Sequence, residues 1–125
     1  TEYLATGFTT TRGYAAQHRD VLLRFLRGYA EGLKRYYDDK PFAFEMMRKY
    51  VQIDDPDSLE RTYTLYAERY YTKVPLPRVQ AMQNILNDFA VVNPRAREVD
   101  ATRLVDPSLV ATLQREGFYR SLGFE

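Results

Sequence analysis

Apolar residues recur at helical spacing along most of the chain, and this periodicity strongly limits what the chain can fold into. The longest run predicts a helix over residues 18–37, with one buried face repeating every three or four residues. That face consists of Leu22, Leu26, Tyr29, Leu33 and Tyr36 or Tyr37. Gly28 and Gly32 lie inside the predicted helix, and each costs about 1 kcal/mol in helix stability relative to Ala. The pair therefore favours the close approach of a neighbouring element.

Four further helices are predicted, starting near residues 41, 56, 77 and 107. Asp55 before Pro56 and Asp106 before Pro107 are favourable helix starts, and Gly117 ends the last helix. Residues 72–77 predict an extended connector, because residues that precede Pro avoid helical angles. The expected buried positions are Ala43, Met46, Met47 and Tyr50, then Leu59, Tyr63, Tyr66 and Tyr70, then Val79, Met82, Leu86 and Phe89, then Leu109, Val110 and Leu113, with Phe118, Tyr119, Leu122 and Phe124 as a closing aromatic clasp.

One strand is predicted, over residues 3–11, which are rich in Thr and aromatic residues. No comparable second stretch follows, and a single strand cannot satisfy its own backbone groups. Its partners are therefore expected in another chain or in sequence upstream. The chain starts at Thr1 without a leader pattern, which also leads us to expect that an upstream segment was removed. The fold class expected for this chain is mainly α with one N-terminal strand.

Composition excludes several function classes. Lys and Arg number 18 against 17 Asp and Glu, for a formal net charge of +1, whereas nucleic-acid binders need a basic excess. The absence of Cys rules out disulfides, thiolate metal sites and a Cys nucleophile. At 125 residues the chain is long enough for one compact domain, and no run approaches the ~20 apolar residues that span a bilayer.

Catalytic patterns are absent from the sequence. His18 is the only histidine, has no carboxylate at metal-ligand spacing, and is interpreted as a surface or capping residue. Asp38, Asp39, Asp54 and Asp55 lie at helix boundaries, where capping is a better explanation than a metal site. We therefore predict no enzyme activity, no catalytic residues, no metal and no cofactor.

Two clusters could bind a ligand. Tyr63, Tyr66, Tyr70 and Tyr71 form either an aromatic box for a cationic or planar ligand or, as we favour, a helix-packing face. Thr10, Thr11 and Arg12 could hold a sulfonate, carboxylate or phosphate with hydroxyls and a guanidinium. The alternative for this second cluster is ordinary strand chemistry with Arg12 on the surface.

The order of these segments resembles the C-terminal part of solute-binding proteins of ABC importers, of the nitrate/sulfonate/taurine type related to thiamine-pyrimidine-precursor binding proteins. The resemblance covers nearly all of the chain and depends on the order of its motifs. The matching segments are Gly7-Phe-Thr-Thr-Thr-Arg12, residues 21–30, Lys49-Tyr50, Asp106-Pro-Ser-Leu-Val110 and Glu116-Gly-Phe118.

The resemblance implies a type II periplasmic binding fold, with two α/β lobes around a solute-binding cleft. Residues 1–12 would be the strand that returns across the hinge, and residues 13–125 the helical part. It implies a small organic or anionic solute, ABC permease subunits as partners and a periplasmic or extracellular location, with a lipid anchor on the full-length protein as an option. Thr10, Thr11 and Arg12 are its expected ligand residues, and exposed apolar surface is expected to drive self-association of the chain.

Two other classes of function remain open. A free-standing helical ligand-binding or dimerisation domain of a regulator would be all-helical, with no strand over residues 3–11. An enzyme that uses Tyr and Arg would need a deep pocket that gathers Arg12 with several tyrosines. The solute itself is not identified by the sequence.

Overall fold

The computed structural model describes residues 3–4 and 7–125, and within these the fold is all-α, with seven α-helices and no strand. The α-helices are α1 Arg12–Gln17, α2 Arg19–Asp38, α3 Lys40–Met46, α4 Pro56–Leu65, α5 Val79–Phe89, α6 Ser108–Arg115 and α7 Phe118–Ser121. Met47–Val51 and Tyr66–Tyr70 continue α3 and α4 as π-helical turns, and Pro94–Glu98 and Ala101–Arg103 are 3₁₀-helices. None of the described helices is both long and apolar enough to cross a membrane.

The predicted helix starts near residues 41 and 56 are confirmed by capping contacts. Asp55 accepts a hydrogen bond from the backbone N–H of Ser58 at 2.8 Å, and Asp39 accepts one from Phe42 at 3.0 Å. Gly117 follows α6 at φ +73°, the left-handed conformation that glycine adopts without strain. These contacts satisfy backbone N–H groups that have no partner inside a helix, so the helices begin where the sequence indicates.

The strand predicted over residues 3–11 is wrong for the residues that the structure describes. Residues 3–4 and 7–11 have no regular secondary structure, and Ala5 and Thr6 lie outside the described residues. The described chain contains no other strand with which this segment could form backbone hydrogen bonds. The segment is instead held by side-chain packing. The ring of Phe8 packs edge-on against Phe25 and Tyr29, with centroids 4.7 and 5.0 Å apart. Arg12, expected at the strand end, is instead the first residue of α1.

The main core joins the long helix α2 to the last two helices, α6 and α7. Ala30 of α2 packs with Val110 and Leu113 of α6 and with Tyr119 of α7, all of them buried. The expected clasp is confirmed, since Phe118, Leu122 and Phe124 pack against this cluster, as do Leu23, Leu26 and Val74. A smaller cluster holds α5 to the 3₁₀-helices through Leu86, Ala90, Ala96 and Ala101.

Several expected core positions are exposed instead. Tyr50 is 71% exposed, because the π-helical turn that starts at Met47 shifts the side chains that follow it off the buried face. Val79 and Phe89 at the two ends of α5 are also exposed, and Ala81 and Leu86 form its buried side.

The expected close approach at the two glycines of α2 is not found in the described chain. No atom lies within 4 Å of the position that a Cβ would take at Gly28 or at Gly32.

Candidate functional site

The three predicted ligand residues lie at the start of α1. The hydroxyl of Thr11 accepts a hydrogen bond from the backbone N–H of Tyr14 at 3.2 Å and caps the helix. The guanidinium of Arg12 donates to the backbone carbonyl of Arg103 at 2.8 Å. Thr10 is exposed beside them. The Thr11 hydroxyl and the Arg12 guanidinium therefore already make hydrogen bonds within the protein.

A shallow depression lies next to Arg12 and has a volume of about 330 Å³. Its lining consists of Arg12, Glu98, Val99, Asp100, Arg103 and Leu104. Hydrogen bonds from Thr102 lower the pKa of the Asp100 carboxyl, with a smaller contribution from the positive charge of Arg103. The depression thus combines two guanidiniums with two carboxyl side chains, and this balance suits a solute with both donor and acceptor groups better than a simple anion.

The tyrosine cluster lies between α2 and the end of α4. The rings of Tyr36 and Tyr63 stack with centroids 4.8 Å apart, and Tyr71 meets Tyr36 edge-on at 5.1 Å. The hydroxyl of Tyr36 donates to the carbonyl of Tyr63, and that of Tyr37 donates to the carbonyl of Ala67, both at 3.1 Å. These contacts are those of helix packing with the hydroxyls satisfied at the edge, as the favoured interpretation expects.

Lysines of the chain itself lie over the faces of these rings. Lys40 Nζ is 5.1 Å from the centroid of Tyr63, and Lys73 Nζ is 5.3 Å from that of Tyr37. Such cation–π contacts stabilise the cluster from within and compete with a cationic ligand for the same ring faces. This contact disfavours the aromatic-box alternative at Tyr63, whereas Tyr37 is not one of the four tyrosines proposed for the box.

A small groove of about 240 Å³ opens beside the cluster, lined by Tyr29, Gly32, Leu33, Tyr36 and Tyr71. Burial, and then the neighbouring tyrosines, raise the pKa of Tyr36, and burial likewise raises the pKa of Tyr71. Both hydroxyls therefore stay protonated at neutral pH and present a largely apolar wall. The groove can accept an apolar or aromatic side chain, and it supplies no nucleophile or general base.

The remaining titratable candidates are structural. His18 is exposed between α1 and α2, with its ring centroid 4.4 Å from that of Tyr14, as a surface residue should be. Asp39, Asp55 and Asp106 cap helices through the backbone N–H groups of Phe42, Ser58 and Ser108. Among the described residues, no group of three or more His, Cys, Asp or Glu side chains could hold a metal ion.

Sequence reasoning missed Arg19. Its guanidinium donates to the hydroxyl of Ser108 at 3.0 Å, to the carbonyl of Ser108 at 3.3 Å and to the hydroxyl of Thr112 at 3.1 Å. The backbone N–H of Ser108 donates to the carboxylate of Asp106, and the Ser108 hydroxyl accepts from Arg19. No local pattern signals a contact between residues 89 positions apart.

No protein-family model matches the chain, and neither the curated proteins nor the solved structures that were compared with it give a match. A functional proposal must therefore be argued from the residues, their order and the contacts that they make.

Proposed function

We propose that the chain is the C-terminal helical part of a two-lobed solute-binding protein of type II fold, which captures a small organic or anionic solute for the permease of an ABC importer. Such a protein works in the periplasm or outside the cell, with or without a lipid anchor. Its role is binding and delivery, without catalysis or a cofactor.

One observation carries the proposal. The segments that give the resemblance are far apart in the sequence, yet they pack on each other. Residues 21–30 supply Leu23, Leu26 and Ala30 to the main core, and α6 and α7 supply Val110, Leu113 and Tyr119. The motifs at 21–30 and 106–118 therefore belong to one packing unit, and this supports reading them together as parts of one fold.

The proposed solute contacts are Thr10, Thr11 and Arg12. Of these three, Arg12 lines the depression together with Asp100 and Arg103, and Thr10 and Thr11 directly precede it in the chain. We propose that a longer protein adds further contacts to this space. In the chain by itself, exposed apolar side chains such as Phe8 and Phe25 are proposed to drive self-association.

A second candidate is a free-standing helical domain of a regulator, used for ligand binding or dimerisation. One specific observation favours it: the residues described between 3 and 11 form no strand, as that hypothesis expects. Under this candidate, residues 3–11 need no partner strand from elsewhere.

The reading frame upstream of Thr1 in the source DNA separates the two candidates. The solute-binding proposal expects roughly 150–250 further codons that begin with an export signal. A start codon directly before Thr1 would contradict it and favour the regulator domain.

If the longer frame exists, calorimetric titration of the encoded protein should follow, with taurine, an alkanesulfonate, nitrate and an aminopyrimidine as probes. Arg12→Ala should weaken binding of the probe that binds, whereas Arg24→Ala, an exposed arginine on α2 away from the depression, should not.

A further inference from the structure

The depression beside Arg12 is lined by charges of both signs that do not pair with each other. Its guanidiniums belong to Arg12 and Arg103, and its carboxylates belong to Glu98 and Asp100. None of these four side chains makes an ion pair, with N and O within 4.0 Å, to another described residue. Elsewhere on the described surface, exposed side chains of opposite charge do pair, at distances from 2.6 to 3.8 Å. The charges around the depression therefore remain free to bind a ligand.

One charge of each sign is already held in place. A single N–H group of Arg12 donates to the backbone carbonyl of Arg103 at 2.8 Å, and a guanidinium has four further N–H donors. The carboxylate of Asp100 accepts from the backbone N–H of Thr102 at 2.9 Å and from its hydroxyl at 2.6 Å. Both of these bonds end on Oδ1, so Oδ2 remains for a ligand. Groups that are positioned before a ligand arrives lose less conformational entropy when it binds.

The other charge of each sign is free to adjust. The side chains of Glu98 and Arg103 are exposed and make no hydrogen bond to a described residue. The positive charge of Arg103 contributes to the lowered pKa of Asp100, so opposite charges sense each other across the depression. Its apolar lining consists of Val99 and Leu104, which are 40% and 46% exposed. The depression thus offers a paired anion receptor, a paired cation receptor and an apolar surface.

This combination selects against ligands that carry a single charge. A simple anion is attracted by the guanidiniums but repelled by the carboxylates, and a simple cation meets the reverse. A zwitterion satisfies both receptors, because its planar carboxylate fits the fork of a guanidinium and its ammonium group donates up to three hydrogen bonds. The opposite charges of the depression are more than 4.0 Å apart, so charges at the two ends of a chain fit them better than charges on one carbon.

We propose that the depression is a binding site for a small ω-amino carboxylic acid. The carboxylate of the ligand binds the two guanidiniums, its ammonium group binds the two carboxylates, and its methylene groups lie on the apolar lining. The volume of about 330 Å³ admits a molecule of this size. The inference rests on the proposed solute-binding function for its biological role, and it names the class of solute. Because all four charges are exposed to water, we expect a dissociation constant on the order of 1 mM for this chain.

An NMR titration of the isotope-labelled 125-residue chain tests the ligand class, with γ-aminobutyrate and ε-aminocaproate as probes. The backbone amide signals of residues 98–104 should shift and reach saturation. Butyrate and butylamine carry one charge each, and glycine carries both charges on one carbon. These three controls should bind more weakly by a factor of about ten. Sodium chloride is added to equalise the ionic strength, because screening by the charged controls would otherwise weaken electrostatic binding.

Two charge-neutralising variants test the assigned residues. Glu98→Gln and Arg103→Gln should each raise the dissociation constant for γ-aminobutyrate by a factor of about three or more. Glu98→Gln should also strengthen the binding of butyrate, because it removes a repelling carboxylate. Misfolding would weaken both ligands and cannot produce this reversal. Glu31→Gln on α2 and Arg61→Gln on α4, both exposed and outside the depression, should leave all of these constants unchanged.

The result that overturns the proposal is a titration in which neither ω-amino acid shifts residues 98–104 more than butyrate does. Binding that neither Glu98→Gln nor Arg103→Gln weakens also overturns it. Failure of the solute-binding function is seen separately, in the reading frame upstream of Thr1. A start codon directly before Thr1 would contradict that function and leave the binding site standing, whereas a long upstream frame without ω-amino acid binding would do the reverse.

Discussion

Arg19 at the start of α2 donates a hydrogen bond to the hydroxyl of Ser108 at the start of α6, at 3.0 Å. The same guanidinium reaches the carbonyl of Ser108 and the hydroxyl of Thr112. One side chain therefore fixes how the N-terminal end of α6 sits against α2. Their buried residues, Ala30 and Leu113, belong to the same core cluster, so this exposed polar contact adds to the packing that joins α2 and α6.

Loss of this contact should lower stability moderately. Arg19→Ala removes three hydrogen bonds, but all are exposed to water, so we expect the free energy of unfolding to fall by about 1 kcal/mol. Urea unfolding measures this change. Arg24→Ala is the control, because its ion pair with Asp20 lies within one exposed helix face and should contribute less than about 0.5 kcal/mol. Equal losses in the two variants would show that Arg19 does not join α2 to α6.

Removal of the Tyr119 hydroxyl should not destabilise the fold. Tyr119 is fully buried, and its hydroxyl has no hydrogen-bond partner among the described residues. An unsatisfied buried hydroxyl costs free energy, so Tyr119→Phe should leave stability unchanged or raise it by up to about 1 kcal/mol.

Tyr37→Phe is the matched control for Tyr119→Phe. Its hydroxyl donates to the carbonyl of Ala67 at 3.1 Å, so this variant should lose about 1 kcal/mol. Thermal unfolding measures the stability changes of Tyr119→Phe and Tyr37→Phe side by side. A clear loss of stability in Tyr119→Phe would mean that its hydroxyl has a partner in solution, such as a buried water molecule.

The chain should lose stability at alkaline pH. Burial is the largest cause that raises the pKa of Tyr36, Tyr71 and Tyr119 above the ordinary tyrosine value of 10.0. Below pH 10 these hydroxyls are protonated in both states, so the stabilising contribution of the native environment is fully present. Above pH 10 the unfolded chain loses these protons first, so the free energy of unfolding falls as pH rises towards the native pKa values.

Urea unfolding between about pH 8 and pH 11 tests this dependence. Tyr36→Phe should flatten the fall above pH 10, although it costs about 1 kcal/mol at pH 8 through the lost hydrogen bond to Tyr63. Tyr50→Phe is the control, because Tyr50 is largely exposed and should leave the slope unchanged. A wild-type stability that stays constant up to pH 11 would contradict the role assigned to the buried hydroxyls.

Helix positions could be predicted from the sequence because their signals are local. The cap of Asp55 involves residues three apart, and the apolar repeat through the partly buried Leu26 and the buried Leu33 follows from helix geometry alone. The predicted strand failed because strand formation depends on a pairing partner, which a stretch of Thr and aromatic residues does not reveal. In the described chain, Phe8 instead packs on Phe25 and Tyr29.

The candidate site was harder to predict, because it depends on contacts between distant residues. Arg12 was predicted to be a ligand-binding residue, but its hydrogen-bond partner Arg103 is 91 positions away, and no pattern links the two. Likewise, the exposed position of Tyr50 follows from a π-helical turn, which helical periodicity does not anticipate.

Truncation of the core should be the most damaging change. Leu113 is completely buried between α2 and α7, where it contacts the cluster that includes Ala30 and Tyr119. Leu113→Ala leaves a cavity that helices from both ends of the chain line, so we expect a loss of about 3 kcal/mol in the free energy of unfolding. Urea unfolding of this variant and of Leu104→Ala, which truncates an exposed leucine, gives the comparison. Leu104→Ala should change stability by less than about 0.5 kcal/mol. Similar losses in the two variants would mean that α2, α6 and α7 do not form the principal core.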